Sequence, residues 1–249
     1  MNTSTLPNGQ AYAQIGPARV FYKAAGAGCP LVLLHGLSGS GRWWARNVPA
    51  LAQHFQVFTL DLAGFGRSRG RPFVLAETPA LVARFCDEMG LDRVSLIGHS
   101  MGGYIAASLA ARFPERIDRL VLVDAVLRPI EGGYSRAAWS LVQALRYLPV
   151  DFLPVLAWDT LRAGPFTMGR AIPQVLQADL GDGLGRIRQP ALVVWGEYDT
   201  LLPVRVGEAA QRSLPGSDLV VIPGAGHNPM WDRPAEFNRI VLERLTRPQ

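Results

Sequence analysis

Val94-Ser95-Leu96-Ile97-Gly98-His99-Ser100-Met101-Gly102-Gly103-Tyr104 reads as a buried strand, a sharp turn and the start of a helix, with Ser100 on the turn. Residues 94–97 are a short run of apolar and β-branched character, while residues 104–113 are alanine-rich and Pro114 stops the helix they form. Between them stands Gly98-x-Ser100-x-Gly102, the pattern of a nucleophile elbow. In such a turn the strained backbone lifts the serine oxygen clear, and the glycines remove side chains that would collide. Because the serine opens a helix, the peptide N–H of Met101 points at the reacting centre with the positive end of the helix dipole behind it. The same glycines would also serve a tightly packed strand-to-helix connection without chemistry, so the rest of the chain has to decide.

Outward from this turn, strands and helices alternate. Residues 11–15 and 18–24, separated by Gly16-Pro17, predict an antiparallel hairpin of edge strands. Residues 31–34 are continuously apolar, as a strand buried on both faces requires, and lead into His35-Gly36-Leu37-Ser38-Gly39. A helix over 42–53, a strand over 56–60 ending at Asp61, a helix over 77–89 stopped by Gly90 and a strand over 120–123 ending at Asp124 continue the rhythm. It fails over 126–189, where five prolines and several short amphipathic pieces predict a helical insertion. It resumes with a strand over 191–195, a helix over 203–214, a strand over 219–222, the loop Pro223-Gly224-Ala225-Gly226-His227 and a last helix over 235–245. The pattern predicts an α/β fold with a parallel sheet. Its core spans 1–125 and 190–249, and 126–189 forms a cap leaving the sheet's carboxyl edge, over the site.

A serine hydroxyl needs a base, and the base needs a group that holds its tautomer. Of the four histidines, His35 lies in the first loop, His54 near a helix end and His99 beside Ser100. His227 alone follows the last strand, downstream of both the serine and a candidate acid. Asp199, after the strand ending at Trp195, is the preferred acid. Asp124 is its rival because it also ends a strand at the same edge, and Glu197 is a weaker one. Aspartates in such loops commonly act as turn or cap residues instead.

His35-Gly36, Asp61-x-x-Gly64-x-Gly66-x-Ser68, Gly98-His99-Ser100-Met101-Gly102-Gly103, Phe113-Pro114-Glu115-Arg116, Trp195-Gly196-x-x-Asp199 and Gly224-x-Gly226-His227 together resemble the α/β-hydrolase superfamily across nearly all the chain outside the insertion. The resemblance implies an eight-stranded, mostly parallel sheet flanked by helices, no cofactor or metal, and an oxyanion hole from the amides of Leu37 and Met101. Where lipases of this superfamily carry three glycines after the loop histidine, this chain has Leu37-Ser38. Where its dehalogenases and epoxide hydrolases use aspartate, it has Ser100, which argues against those reactions. The expected activity is hydrolysis of small to medium, largely apolar esters by a carboxylesterase-like serine enzyme. The resemblance also allows lactone hydrolysis and carbon–carbon cleavage of a ring-cleavage diketone on the same triad. A buried Arg162 or Arg170 would then hold a carboxylate. A non-catalytic member that binds small ligands is a further alternative.

Trp43, Trp158 and Trp231 are the candidate substrate-binding residues, with core packing as the competing use of each. Although the net charge is +5, Lys23 is the sole lysine and the densest basic cluster is Arg67, Arg69 and Arg71, read as a solvated loop. That pattern predicts a small-molecule substrate rather than a nucleic acid. The polar start over 1–10 and the absence of any long apolar run predict no membrane span and a cytoplasmic location. Cys29 and Cys86 lack ligand spacing and are expected to be buried free thiols. Composition leaves the oligomeric state open.

Overall fold

The computed structural model describes residues 8–130, 132–144 and 146–247. Most of the polar start therefore lies outside the described residues. β1 (Gly9–Ile15) and β2 (Ala18–Ala25) pair antiparallel about Gly16, whose φ of 56° suits glycine. They are followed by β3 (Cys29–Leu34), α1 (Val48–Leu51), β4 (Phe55–Leu60), α2 (Thr78–Glu88), β5 (Val94–His99), α3 (Met101–Arg112) and β6 (Ile117–Val123). Then come α4 (Gly133–Ala144), α5 (Leu153–Leu176), β7 (Ala191–Gly196), α6 (Val204–Ser213), β8 (Asp218–Ile222), α7 (Pro229–Asp232) and α8 (Pro234–Leu245). The strands form one eight-stranded sheet in the order β1-β2-β4-β3-β5-β6-β7-β8. From β4 through β8 every pairing is parallel, and β2 meets β4 antiparallel. Of the two strands expected at an edge, only β1 is one.

Strand periodicity divides the core into two layers. Val32 and Leu34 of β3 join Leu96, Ile105 and Phe85 on the face covered by α2 and α3. Leu31 and Leu33, pointing the other way, join Trp44, Phe237 and Val241 on the face covered by α8. Cys86 is buried as expected, but Cys29, at the open start of β3, is exposed.

The helix expected over 42–53 is instead a 3₁₀ turn at Gly41–Trp44 and the short α1. Pro49 explains the break: inside a continuous helix it would remove an N–H and collide with the preceding turn, whereas at the start of α1 its missing donor costs nothing. Between the two pieces Asn47 is fully buried. Its amide donates to Met230 O (2.9 Å) and Asn238 Oδ1 (2.8 Å), tying this connection to α7 and α8.

No strand forms among the described residues between β6 and β7. α5 carries a bend at Gly164 (φ 74°), just before Pro165, where proline denies the helix a donor. The insertion is anchored at its root by Ile130 N–H to Leu176 O (3.0 Å) and Leu180 N–H to Leu127 O (3.1 Å). No described helix is long and apolar enough to cross a membrane.

Candidate active site

Ser100 sits at φ 52° and ψ −115°, a conformation that side chains rarely adopt. Its surroundings hold it there. The Ser100 N–H donates to Val123 O (2.9 Å), and the N–H groups of Gly103 (2.9 Å) and Val126 (3.1 Å) donate to Ser100 O. The elbow glycines are required by close approach: a Cβ at Gly98 would lie 2.3 Å from Gly102 O, and one at Gly102 would lie 2.3 Å from Leu34 O. β3, β5 and α3 thus touch backbone to backbone under the serine.

His227 stands between the serine and an aspartate. Its Nε2 lies 3.1 Å from Ser100 Oγ, and its Nδ1 lies 2.7 Å from Asp199 Oδ2. Asp199 is buried, and its other oxygen accepts the N–H groups of Leu201 (2.8 Å) and Leu202 (2.9 Å). The carboxylate is therefore fixed by the start of the segment that leads into α6. Asp124 and Glu197 bond elsewhere: Asp124 Oδ1 accepts from Gly196 N–H (2.9 Å), and Glu197 Oε2 from Gly224 N–H (2.8 Å). Donor atoms of Asp124, Asp199 and His227 converge within 4.8 Å, as metal ligands would. Both ring nitrogens of His227 are already engaged, however, so the arrangement is suited to passing a proton between Ser100 and His227 while Asp199 orients the ring.

The Leu37 and Met101 amides have no acceptor among the described hydrogen bonds, and both stand where β3 and β5 end side by side. This is where ligands bind in open parallel sheets. His35 orients the first of them. Leu62 N–H donates to His35 Nε2 (3.0 Å), which makes Nδ1 the protonated nitrogen, and Nδ1 donates to Gly36 O (2.7 Å). Fixing the Gly36 carbonyl fixes its peptide plane and hence the Leu37 N–H on the opposite side. Burial lowers the pKa of His35, consistent with this neutral form. The position of His35 in the loop was legible in the sequence; this anchoring was not.

His99 has a comparable task. Its Nε2–H donates to the carbonyl of His227 (2.7 Å), so the elbow strand holds the backbone of that histidine, and burial pushes the pKa of His99 well down. Asp61 and Ser68 close the loop after β4 through Gly41 N–H (2.8 Å) and Arg67 N–H (2.7 Å) to Asp61, and Ser68 Oγ–H to Asp61 O (2.5 Å). Sequence reasoning missed Asp159, whose Oδ2 accepts from Ser40 Oγ–H at 2.8 Å and links α5 to the loop carrying Leu37. A lone aspartate in an insertion gives no sequence signal for such a contact.

Of the three tryptophans, two take the competing use of core packing and one borders a cavity. Trp43 is buried, edge-on to Phe152 (5.2 Å between ring centres) and tilted over His99 (5.7 Å). Trp231 is buried and also packs on Phe152, tilted at 4.8 Å between ring centres. Both are floor, because large rings close the gap between the sheet and the insertion more favourably than they stay in water. Trp158 is 55% exposed and borders a cavity of about 120 Å³ lined also by Phe21, Ser40, Arg42, Asp61, Asp159 and Arg162, a mixed lining of rings, glycines and charged groups. Arg162 and Arg170 are exposed rather than buried. Arg162 donates to Gly66 O (2.7 Å), and Arg170 lies over the Phe166 ring.

A family model described as alpha/beta hydrolase fold matches residues 30–148 and 153–234. A 2-hydroxy-6-oxononadienedioate/2-hydroxy-6-oxononatrienedioate hydrolase of Burkholderia vietnamiensis is 31% identical, over 92% of this chain and 91% of that protein. The dihydrolipoyllysine-residue acetyltransferase component of the acetoin cleaving system of Cupriavidus necator is also 31% identical, over 94% of this chain and 68% of its own length. Among solved structures, a thermophilic esterase from Thermogutta terrifontis superimposes with a TM-score of 0.80 at 26% identity, covering 95% of this chain and 97% of that one.

Proposed function

The chain belongs to the α/β-hydrolase family, and from that premise we propose that it is a serine hydrolase of small to medium carboxylic esters, working through an acyl-enzyme on Ser100. The observation that carries this reading is His227 placed within hydrogen-bonding distance of both Ser100 Oγ and Asp199 Oδ2, with the serine on a strained turn. Segment 126–189 is read as the cap that selects the acyl group.

In this mechanism His227 Nε2 takes the Ser100 proton as Oγ attacks the acyl carbon. The N–H groups of Leu37 and Met101 receive the developing oxyanion, each contributing about 3 kcal/mol to its stabilisation. The imidazolium, steadied by Asp199, protonates the departing alkoxide. Water then enters, His227 removes its proton, and the acyl-enzyme is hydrolysed through the same oxyanion site.

The Burkholderia relative is named for a dioate substrate, which keeps ring-cleavage chemistry on the same triad as the second reading. The exposure of Arg162 and Arg170 favours the ester over it, since neither supplies the buried cation that a second carboxylate would need. The test is hydrolysis of p-nitrophenyl esters of increasing acyl length, run beside a lactone and a ring-cleavage diketone acid. Highest kcat/KM on short to medium esters supports the proposal. A preference for the diketone by tenfold or more, on the order of 1.4 kcal/mol in transition-state binding, replaces it with the second reading. No reaction with any of these substrates or with a serine-directed phosphonate overturns both.

A further inference from the structure

Asp124, not used in this mechanism, is the most confined carboxyl group among the described residues. It is fully buried, it has a φ of 40°, and its N–H donates to Val194 O (3.0 Å). Its neighbours Val123 and Val126 bond the backbone of Ser100, and Ala125 packs against Gly103. The side chain therefore has little freedom to turn away. Oδ1 accepts from Gly196 N–H, while Oδ2 is buried with no hydrogen-bond donor among the described residues. An oxygen of Asp124 lies within 4.8 Å of both an Asp199 oxygen and a His227 ring nitrogen.

The titratable groups around this carboxyl are Asp199 after β7, His227 before α7, Asp232 at the end of α7, and His99, the β5 residue paired with Val123. Neither Arg nor Lys is bonded to Asp124 or Asp199 among the described residues. Two ionised carboxylates side by side in such a place repel each other, and the donorless Oδ2 would be an anionic oxygen stripped of water. A single proton removes both problems, because it turns an orphan acceptor into a donor aimed at the neighbouring acceptor.

We propose that Asp124 is a positioning residue that stands beside the triad as a neutral carboxylic acid and donates its proton to the Asp199 carboxylate, so that one negative charge rather than two faces His227. Burial, and then the charge of Asp199, raise its pKa well above the usual carboxylate range. The consequence for the base is specific. A second negative charge would favour the imidazolium and close the enzyme at mildly acidic pH; the shared proton prevents this. The inference rests on the Ser100–His227–Asp199 reading for its effect on rate, but not for the proton itself.

The experiment has two readouts. Isotope-edited infrared difference spectra of wild type against Asp124→Asn at pH 7 should show one carboxylic-acid carbonyl stretch that the variant lacks; its absence overturns the proposal, whether or not the protein hydrolyses esters. The second is the pH profile of kcat/KM on p-nitrophenyl acetate. The asparagine amide can still donate to Asp199, so Asp124→Asn should keep its acid limb within about 0.3 pH unit of wild type. Asp124→Leu, which offers no donor, should lose about tenfold in kcat with KM unchanged. A shift of the Asp124→Asn acid limb downward by about one unit or more would mean that Asp124 is ionised in the wild type, and would overturn the proposal. If Asp124→Leu fails to fold, the asparagine profile and the infrared band decide alone.

Discussion

At the carboxyl edge of the sheet, each member of the candidate site is held by two or more directed contacts, whereas in the insertion Trp139, Phe166 and Leu161 stand 62%, 75% and 79% exposed. Ser100, His227, Asp199, His35 and His99 are fixed to one another or to backbone groups of five different strands and loops. α5 and the connection that precedes it are joined to that machinery at a few points: Asp159 on Ser40, Tyr147 stacked on Tyr198 at 5.0 Å, and Phe152 packed on Trp43 and Trp231. The geometry of bond breaking thus belongs to the sheet. In the proposed function, the choice of what is broken falls to a region whose surface is not committed to the core.

The sharpest way to break this contrast is at the serine. Ser100→Ala should cost on the order of 10⁵-fold in kcat on p-nitrophenyl acetate, and Asp199→Asn on the order of 10⁴-fold through the wrong imidazole tautomer, with far-ultraviolet circular dichroism unchanged in both. Near-normal rates in the alanine variant would remove Ser100 from the mechanism. Gly36→Ala comes next. Its Cβ would lie 2.9 Å from His99 Nδ1 and 3.2 Å from Ser100 Cβ, so the loop must move and take the Leu37 N–H with it. The expected loss is about 100-fold in kcat with KM little changed, and wild-type kcat would show that this amide is not a donor.

In the insertion the same size of intervention should do little. Leu161→Ser combined with Phe166→Ser should leave unfolding free energy within about 0.5 kcal/mol, because neither side chain is buried. Activity on the acetate ester should persist while KM for long acyl esters changes. An unchanged chain-length profile would mean that this face takes no part in selection. The smallest effect concerns Asp232, whose carboxyl burial pushes up to about 6 from an ordinary 3.8. The folded state then holds this proton more tightly than the unfolded chain does. The associated stabilisation is complete below the unfolded value and is lost as pH rises through about 6. In Asp232→Asn the fall in Tm between pH 4 and 7 should be shallower than in wild type, by several degrees; an identical slope would assign the pH dependence to other groups.

What was legible in the sequence follows the same division. The central strands announced themselves because β3 to β7 are almost wholly buried on both faces, and the elbow, His227 and Asp199 because strand ends and glycines have fixed meanings in an α/β chain. The break at Pro49 was masked by the apolar content around it, which suits a helix and a packed connection equally. Trp43 and Trp231 could not be told from pocket walls, since composition does not reveal that Phe152, more than a hundred residues from Trp43 and about eighty from Trp231, packs on both. The anchoring by His35 and the confinement of Asp124 depend on groups brought together from distant segments, such as Leu62 and Gly196, and leave no local trace.

The turn at Ser100 also has a consequence for how the protein is born. Its N–H is held by Val123, its carbonyl by Val126, and the histidine proposed as its base lies 127 residues further along the chain. During synthesis the ribosome makes the serine before the groups that hold its backbone from β6 and before the histidine. In the proposed mechanism the nascent chain therefore carries an ordinary hydroxyl until β6 docks, and an idle one until the loop bearing residue 227 has emerged. A chain truncated anywhere in that interval would carry the serine without its partner.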